Sequence, residues 1–269
     1  MTVPYIKLRT AQAAVPYRYD PAFPARHGFS TREGGVSRLP HLASLNLGYD
    51  RGEEAALVDE NRTRLIRAVC GPAFDRTKAV SAVQIHSTRI QAVTEADCGR
   101  TDFSCDGFVT DRSGVPLLIK TADCLPILFC DSTSGIVGAV HSGWRGTAAG
   151  IAPQAVCAME RLGSKREHIS VLIGPCIHAC CFTVGEDFIS TVEQLLPRAV
   201  SEQTLFRDDS GKWHADLCRM TVLMLLSAGI RQEKIRAAED CTCCRPELFF
   251  SHRATGGKRG LAGAVIMLP

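Results

Sequence analysis

Three short apolar runs follow one another closely in this chain, at residues 117–119 (LLI), 127–130 (ILFC) and 136–141 (IVGAVH). Rich in β-branched and other apolar residues, they read as buried strands, and they constrain the fold more than any other feature. Around them the pattern alternates between helix and strand. Residues 53–69 place Leu57, Leu65, Ile66 and Val69 near helical spacing, and residues 147–162, 185–196 and 215–228 read as further helices. Residues 80–93 alternate in the strand manner with a turn near 87–89, while 170–173 and 262–268 are strands. Residues 28–46, rich in Gly, Ser and Thr, are expected to form a long loop. Helices mixed with short strands in no clean βαβ rhythm predict an α+β fold or a layered α/β sandwich rather than a doubly wound sheet. No repeat or linker divides the chain, and neither GxGxxG nor a P-loop is present.

Composition narrows the function classes. With 269 residues and 45% hydrophobic content the chain can bury a substantial core as one globular domain or two small ones. A net charge of +3 is too balanced to argue for nucleic acid. No apolar stretch is long enough to span a bilayer, and residues 1–24 carry Arg, Tyr, Pro and Asp where a signal peptide needs an apolar core, so a cytoplasmic protein is expected. Thirteen cysteines in such a chain do not suggest a disulfide framework. Most stand alone and read as small core residues. Two groups stand apart: Cys176, Cys180 and Cys181, then Cys241, Cys243 and Cys244.

His86, Cys124 and His141 lie at expected strand ends. Imidazole and thiolate suit zinc, and three protein ligands leave the fourth position that a catalytic site keeps open. The alternative is that each histidine is an ordinary satisfied structural residue, since the spacing matches no local zinc motif. Gly143-Trp144-Arg145-Gly146-Thr147 joins a strand to a helix start and is a candidate anion cradle or a plain turn; Arg32-Glu33-Gly34-Gly35 is a second such loop. Copper oxidase chemistry is poorly supported: a multicopper enzyme needs roughly ten histidines with His-x-His pairs, whereas this chain has 8 and no such pair.

Several motifs then run in order: HGFSTREGGVS (27–37), SLNLG (44–48), ENRTRL (60–65), QIHS (84–87), TADCLPILFCD (121–131), AVHSGWRGT (139–147), IGPCIHACCFTVGEDF (173–188) and CTCCRPELFFSHR (241–253). Together they resemble the YfiH-like laccase-domain family, long described as multicopper polyphenol oxidases. The resemblance implies an α/β (α+β) fold, a single-domain layered α-β-β-α sandwich with mixed sheets of the YfiH/CNF-like kind, with residues 1–26 a lead-in strand and loop and 27–269 the domain. It implies a zinc ion on His86, Cys124 and His141. It also implies phosphorolysis of adenosine, inosine, guanosine and methylthioadenosine, with adenosine deaminase activity in the same site. The other activities attached to such proteins are copper-dependent phenol oxidation and editing of peptidoglycan precursors. Arg32, Ser37, Asn46, Gln84 and Arg145 become expected contacts to substrate or phosphate. Asp123, beside Cys124, is the expected proton relay or else a structural carboxylate. Purine nucleoside and phosphate are the expected partners, in a monomer or homodimer. QIHS and HSGW replace the commoner QVHG and HAGW without touching an expected ligand. Cys243 is an extra thiol within Cys241-x-x-Cys244; that pair could hold a second metal, but it is expected to be reduced and structural.

Overall fold

Alternation along the central strands decides the architecture. In the strand Leu125–Asp131, Leu125, Ile127 and Phe129 join one apolar cluster while Leu128 and Cys130 join another, because successive side chains of a strand point to opposite faces. Every residue of this strand and of its neighbour Ile136–Ser142 is buried, so both faces must be covered. The computed structural model, which describes residues 2–269, shows by what.

A seven-stranded sheet runs in the order Tyr5–Ile6, Ile235–Ala238, Ser170–Ile173, Leu125–Asp131, Ile136–Ser142, Gly107–Thr110, Ile90–Ala92. Its centre is antiparallel and its outer pairs are parallel. A five-stranded antiparallel sheet runs Arg9–Ala11, Tyr17–Tyr19, Arg26–Ser30, Ala262–Met267, Leu117–Thr121. The two stack face to face: Phe108, Leu128, Val137 and Leu172 of the first meet Phe29, Leu117, Ile119 and Ile266 of the second. Helices Ile151–Arg161, Glu186–Leu195 and Leu217–Ser227 cover the outer face of the first sheet. Helix Ala55–Cys70 covers the second, setting Leu65, Ile66 and Val69 against Leu118, Val265 and Met267. The result is the expected helix–sheet–sheet–helix sandwich.

Local departures have local causes. The helix expected over 147–162 is two, Trp144–Ala148 and Ile151–Arg161, split at Gly150, whose φ of 85° a right-handed helix cannot contain. Only Ala82–Val83 and Ile90–Ala92 of the expected 80–93 strand are extended in ladders, because the backbone between them turns toward Asp106, described below. The expected 28–46 loop opens with the end of strand Arg26–Ser30. The lead-in supplies strands to both sheets. Strands Gly107–Thr110 and Ile235–Ala238, the hairpin Leu205–Arg207 with Trp213–Ala215, and helix Arg198–Thr204 had no expectation attached; each is short, and tertiary pairing decides it. No helix among the described residues is long and apolar enough to cross a membrane.

Candidate metal centre and adjoining cavity

Residues 122–124 carry the chain from the five-stranded sheet, which it leaves at Thr121, to the seven-stranded one, which it enters at Leu125. Pro126 pairs with His141 in the ladder, so Cys124 and His141 emerge at the same sheet end. Asp123 makes the crossing in left-handed conformation, φ 83°. That backbone is unusual for a non-glycine residue and persists only when its surroundings impose it. Here they do: the Asp123 carboxylate accepts hydrogen bonds from Thr242 Oγ1 at 2.6 Å and the Arg253 amide at 2.7 Å, and its carbonyl accepts one from the Ile177 amide at 2.9 Å.

His86 arrives differently. Asp106 accepts hydrogen bonds from three consecutive backbone amides, of Ile85, His86 and Ser87, at 3.3, 3.0 and 2.6 Å, and from the Ser87 hydroxyl at 2.8 Å. This fastens a turn in which His86 also takes a left-handed φ of 58°. The same carboxylate accepts from His141 Nδ1 at 3.0 Å, which leaves Nε2 as the ring's free nitrogen. Burial pushes the Asp106 carboxyl up, yet the bonds from His141 and Ser87 outweigh it and hold the group at about 2.

The trio converges: the candidate ligand atoms of His86, Cys124 and His141 lie within 4.8 Å of one another, and the two imidazoles stand edge to face at 4.9 Å. Burial opposes ionisation of Cys124, but His141 and His86 overcome it and bring the thiol down to about 6. Burial likewise disfavours the charged His141, yet the Cys124 thiolate and Asp106 lift it to about 9. Gly143 makes room for the cluster, since a Cβ there would stand 2.7 Å from His86 Cδ2 and 3.4 Å from Cys124 Sγ. Two imidazoles and a ready thiolate, with one imidazole held by a carboxylate behind it, fit a zinc ion with an open position. The same two histidines and one cysteine are also the set that a blue-copper centre uses, with a weak axial Met, Gln or backbone oxygen.

That cavity has a volume of about 330 Å³, in the range of small-molecule sites. His86, Cys124 and His141 form part of its wall, and Arg51, Arg62, Lys120 and Arg259 give it positive charge against the single acid Asp50. These cations are not equivalent. Arg62 donates from Nε and Nη2 to the Leu47 carbonyl and stacks on Tyr49 at 4.2 Å. Lys120 Nζ donates to the Ala82 carbonyl at 2.6 Å, and burial, helped by nearby Arg62, lowers its pKa to about 7. Arg259 Nε and Nη1 and Arg51 Nε are buried with no hydrogen-bond partner among the described residues. Buried donors are ordinarily paired, and no described residue supplies the partner here.

The other expected contacts divide between the cavity wall and positions away from it. Arg32 spends its guanidinium on the carbonyls of Ala43 (2.9 Å), Pro246 (2.8 Å) and Pro40 (3.4 Å), with Phe250 beneath it; it fastens the loop and does not line the cavity. Arg145 is exposed, stacked on Trp144 at 4.1 Å, and also off the cavity wall. Ser37 and Asn46 both donate to Glu53 at 2.8 Å in a buried network with Asn61. Asn46 Oδ1 also accepts from the amides of Gly48 and Leu261, two cavity residues, so it shapes the wall without touching the interior. Gln84 lines the cavity and pairs with both backbone groups of Lys120 at 2.7 Å. Asp123 borders only a void of about 10 Å³, and both its carboxylate oxygens are engaged; the carboxylate that touches the trio is Asp106.

Asp106, Arg51, Lys120 and Arg259 escape the sequence reading. Lys120 alone leaves a trace there, as a lone charge ending the apolar run LLIK.

Residues 26–269 match the family model described as multi-copper polyphenol oxidoreductase laccase. The chain is similar to purine nucleoside phosphorylase YlmD of Geobacillus stearothermophilus, 40% identical over 247 residues that cover 87% of this chain and 86% of that protein. It is 35% identical over 272 residues to a purine nucleoside phosphorylase of Deinococcus radiodurans, covering 100% of this chain and 96% of the other. The crystal structure of YlmD from Geobacillus stearothermophilus superposes with a TM-score of 0.89 at 35% identity, over 97% of this chain and 98% of that one.

Proposed function

The chain belongs to the YfiH-like laccase-domain family, and we propose that it is a zinc-dependent purine nucleoside phosphorylase that also deaminates adenosine. The observation that carries the reading is the pairing of a His2Cys centre with four cationic side chains, Arg51, Arg62, Lys120 and Arg259, on the wall of one cavity. The relatives named as purine nucleoside phosphorylases support the substrate class.

In phosphorolysis a phosphate oxygen forms a bond to C1′ while the C1′–N bond breaks. The purine leaves with that electron pair and takes up a proton, and ribose 1-phosphate remains. Such a reaction needs little covalent help; it needs the anion held beside C1′ in a site that excludes water. Arg51 and Arg259 on the cavity wall supply positive charge for that anion, while Arg62 and Lys120 add charge from behind their own carbonyl partners. Arg259 thus takes in this reading the role expected of Arg32. Adenosine, inosine, guanosine and methylthioadenosine are the proposed nucleosides.

A zinc ion on His86, Cys124 and His141 supplies a Lewis acid, the chemistry that hydrolytic deamination at C6 of adenine requires. Asp106 orients His141 and the His86 turn, and Asp123 positions Cys124 by fixing the backbone before it. Asp123 is in this reading a positioning residue.

The test follows purine release from inosine with and without phosphate, alongside the metal content of protein purified with none added. Phosphate-dependent release with bound zinc is the expected result. Release independent of phosphate, or copper in place of zinc, would overturn the reading.

A further inference from the structure

A second cluster of sulfur ligands lies outside the cavity. Cys180 and Cys181 follow the strand Ser170–Ile173, and Cys241 and Cys244 follow Ile235–Ala238, its parallel neighbour in the sheet. The two segments stay side by side beyond the strands: Cys176 and Cys241 form a parallel bridge, and the Thr242 amide donates to the Cys176 carbonyl at 2.9 Å. All four Sγ atoms lie within 4.8 Å of one another. Cys181–Cys244 is 3.3 Å, Cys180–Cys244 3.5 Å, and Cys180 is 3.8 Å from both Cys181 and Cys241.

A zinc–thiolate bond of about 2.3 Å sets the sulfurs of a regular tetrahedron about 3.8 Å apart. Disulfides would instead draw the sulfurs into pairs at about 2.05 Å. The His178 amide points at Cys241 Sγ at 3.4 Å, a donor suited to a ligating thiolate. Arg253 approaches the same turn, donating to the Cys181 carbonyl at 2.8 Å, and brings positive charge to a site whose four thiolates exceed the charge of a divalent ion.

We propose that Cys180, Cys181, Cys241 and Cys244 form a closed, structural zinc site, separate from the His2Cys centre. Four protein ligands leave no open position, so the site binds and holds but does not catalyse. What it holds is specific: Ile177 and Thr242, one on each clamped segment, are two of the residues that fasten Asp123 in its left-handed turn beside Cys124. Cys243 stays outside the ligand set as a free thiol.

The experiment counts zinc per chain by mass spectrometry in protein purified under reductant. Cys180→Ser with Cys244→Ser is expected to lose one zinc relative to the unaltered protein, and Cys124→Ala with His141→Ala to retain that same zinc. Equal zinc in the unaltered protein and the Cys180/Cys244 variant overturns the proposal. So does an intact mass, taken without reductant, that shows these cysteines in disulfides. Should the double variant fail to fold, the unaltered protein answers: Cys180 and Cys244, both exposed, are expected to resist alkylation until a chelator is added. Equal alkylation rates with and without chelator overturn the assignment. Neither arm depends on a nucleoside, so failure here is distinct from failure of the phosphorylase reading.

Discussion

Two arginines from glycine-rich stretches end in opposite states. Arg32, in the motif STREGGVS, has three backbone carbonyls and an aromatic ring for company, which tie its loop together and to the segment of Pro246 and Phe250. Arg259, in GGKRG, lies on the cavity wall with two buried donors that no described residue accepts. A hydrogen-bonded arginine builds a wall, whereas a buried unpaired one costs stability until a ligand arrives. The recognisable motif places Arg32 off the cavity wall, and the less conspicuous GGKRG places Arg259 on it.

Predictions can break that contrast or sharpen it. The largest effect is expected from Cys124→Ala, which removes the thiolate of the His2Cys centre and should abolish turnover and the zinc bound at that centre while far-UV circular dichroism stays native, because a core of this size does not depend on a catalytic metal. A variant that keeps the zinc of that centre would break the ligand assignment. Next comes Arg259→Ala, expected to lower kcat/KM for phosphate by about 10²–10³-fold, the usual cost of losing one donor to developing negative charge. Arg259→Lys should recover little, having charge without the fork. Asp106→Asn should weaken zinc binding by about 10–100-fold, measured by competition with a chelator, since the carboxylate behind a histidine ligand tunes its basicity and aim.

Arg32→Ala should leave the KM for phosphate alone and cost about 1–3 kcal/mol of unfolding free energy in urea by orphaning carbonyl partners. Without phosphate, Arg259→Ala should have the opposite sign or none. If the two arginines exchange these phenotypes, the contrast fails. The smallest effect concerns Lys120. Its pKa falls on folding to about 7, so between about pH 7 and its unfolded value the unfolded chain binds the extra proton, and stability rises with pH across that window. The stability advantage of Lys120→Met over the unaltered protein should therefore shrink as pH is raised from 7 toward 10.

Buried strands were legible in the continuous apolar runs at 117–119, 127–130 and 136–141, whose residues the fold divides between cores on opposite faces; the four-layer order came from the resemblance of the motifs. The trio was legible as residue types at strand ends, where side chains project from the sheet edge. Asp106 was not: its contacts span 20 residues to His86 and 35 to His141, and nothing local marks a carboxylate that will meet them. Asp123 stayed open between a relay and a structural carboxylate, because adjacency to Cys124 does not say which groups its oxygens meet; Thr242 and the Arg253 amide, 119 and 130 residues away, engage both. Arg51 and Arg259 could not be told from other arginines, because an unpaired donor is a property of the folded surroundings.

Asp106 gathers the amides of Ile85, His86 and Ser87 and the ring of His141 onto one carboxylate. The two histidines are thereby tied to a common anchor before any ion arrives. The His141 ring surrenders its rotational entropy during folding, and the backbone that carries His86 is fixed, so an incoming metal need order only the exposed His86 ring. Such a preorganised centre should exchange its ion as a rigid socket does, with emptying and refilling limited by ligand bonds rather than by loop closure. The depth of the site in the fold then governs how long a metal stays, and the chain around it need not reorganise when the metal leaves.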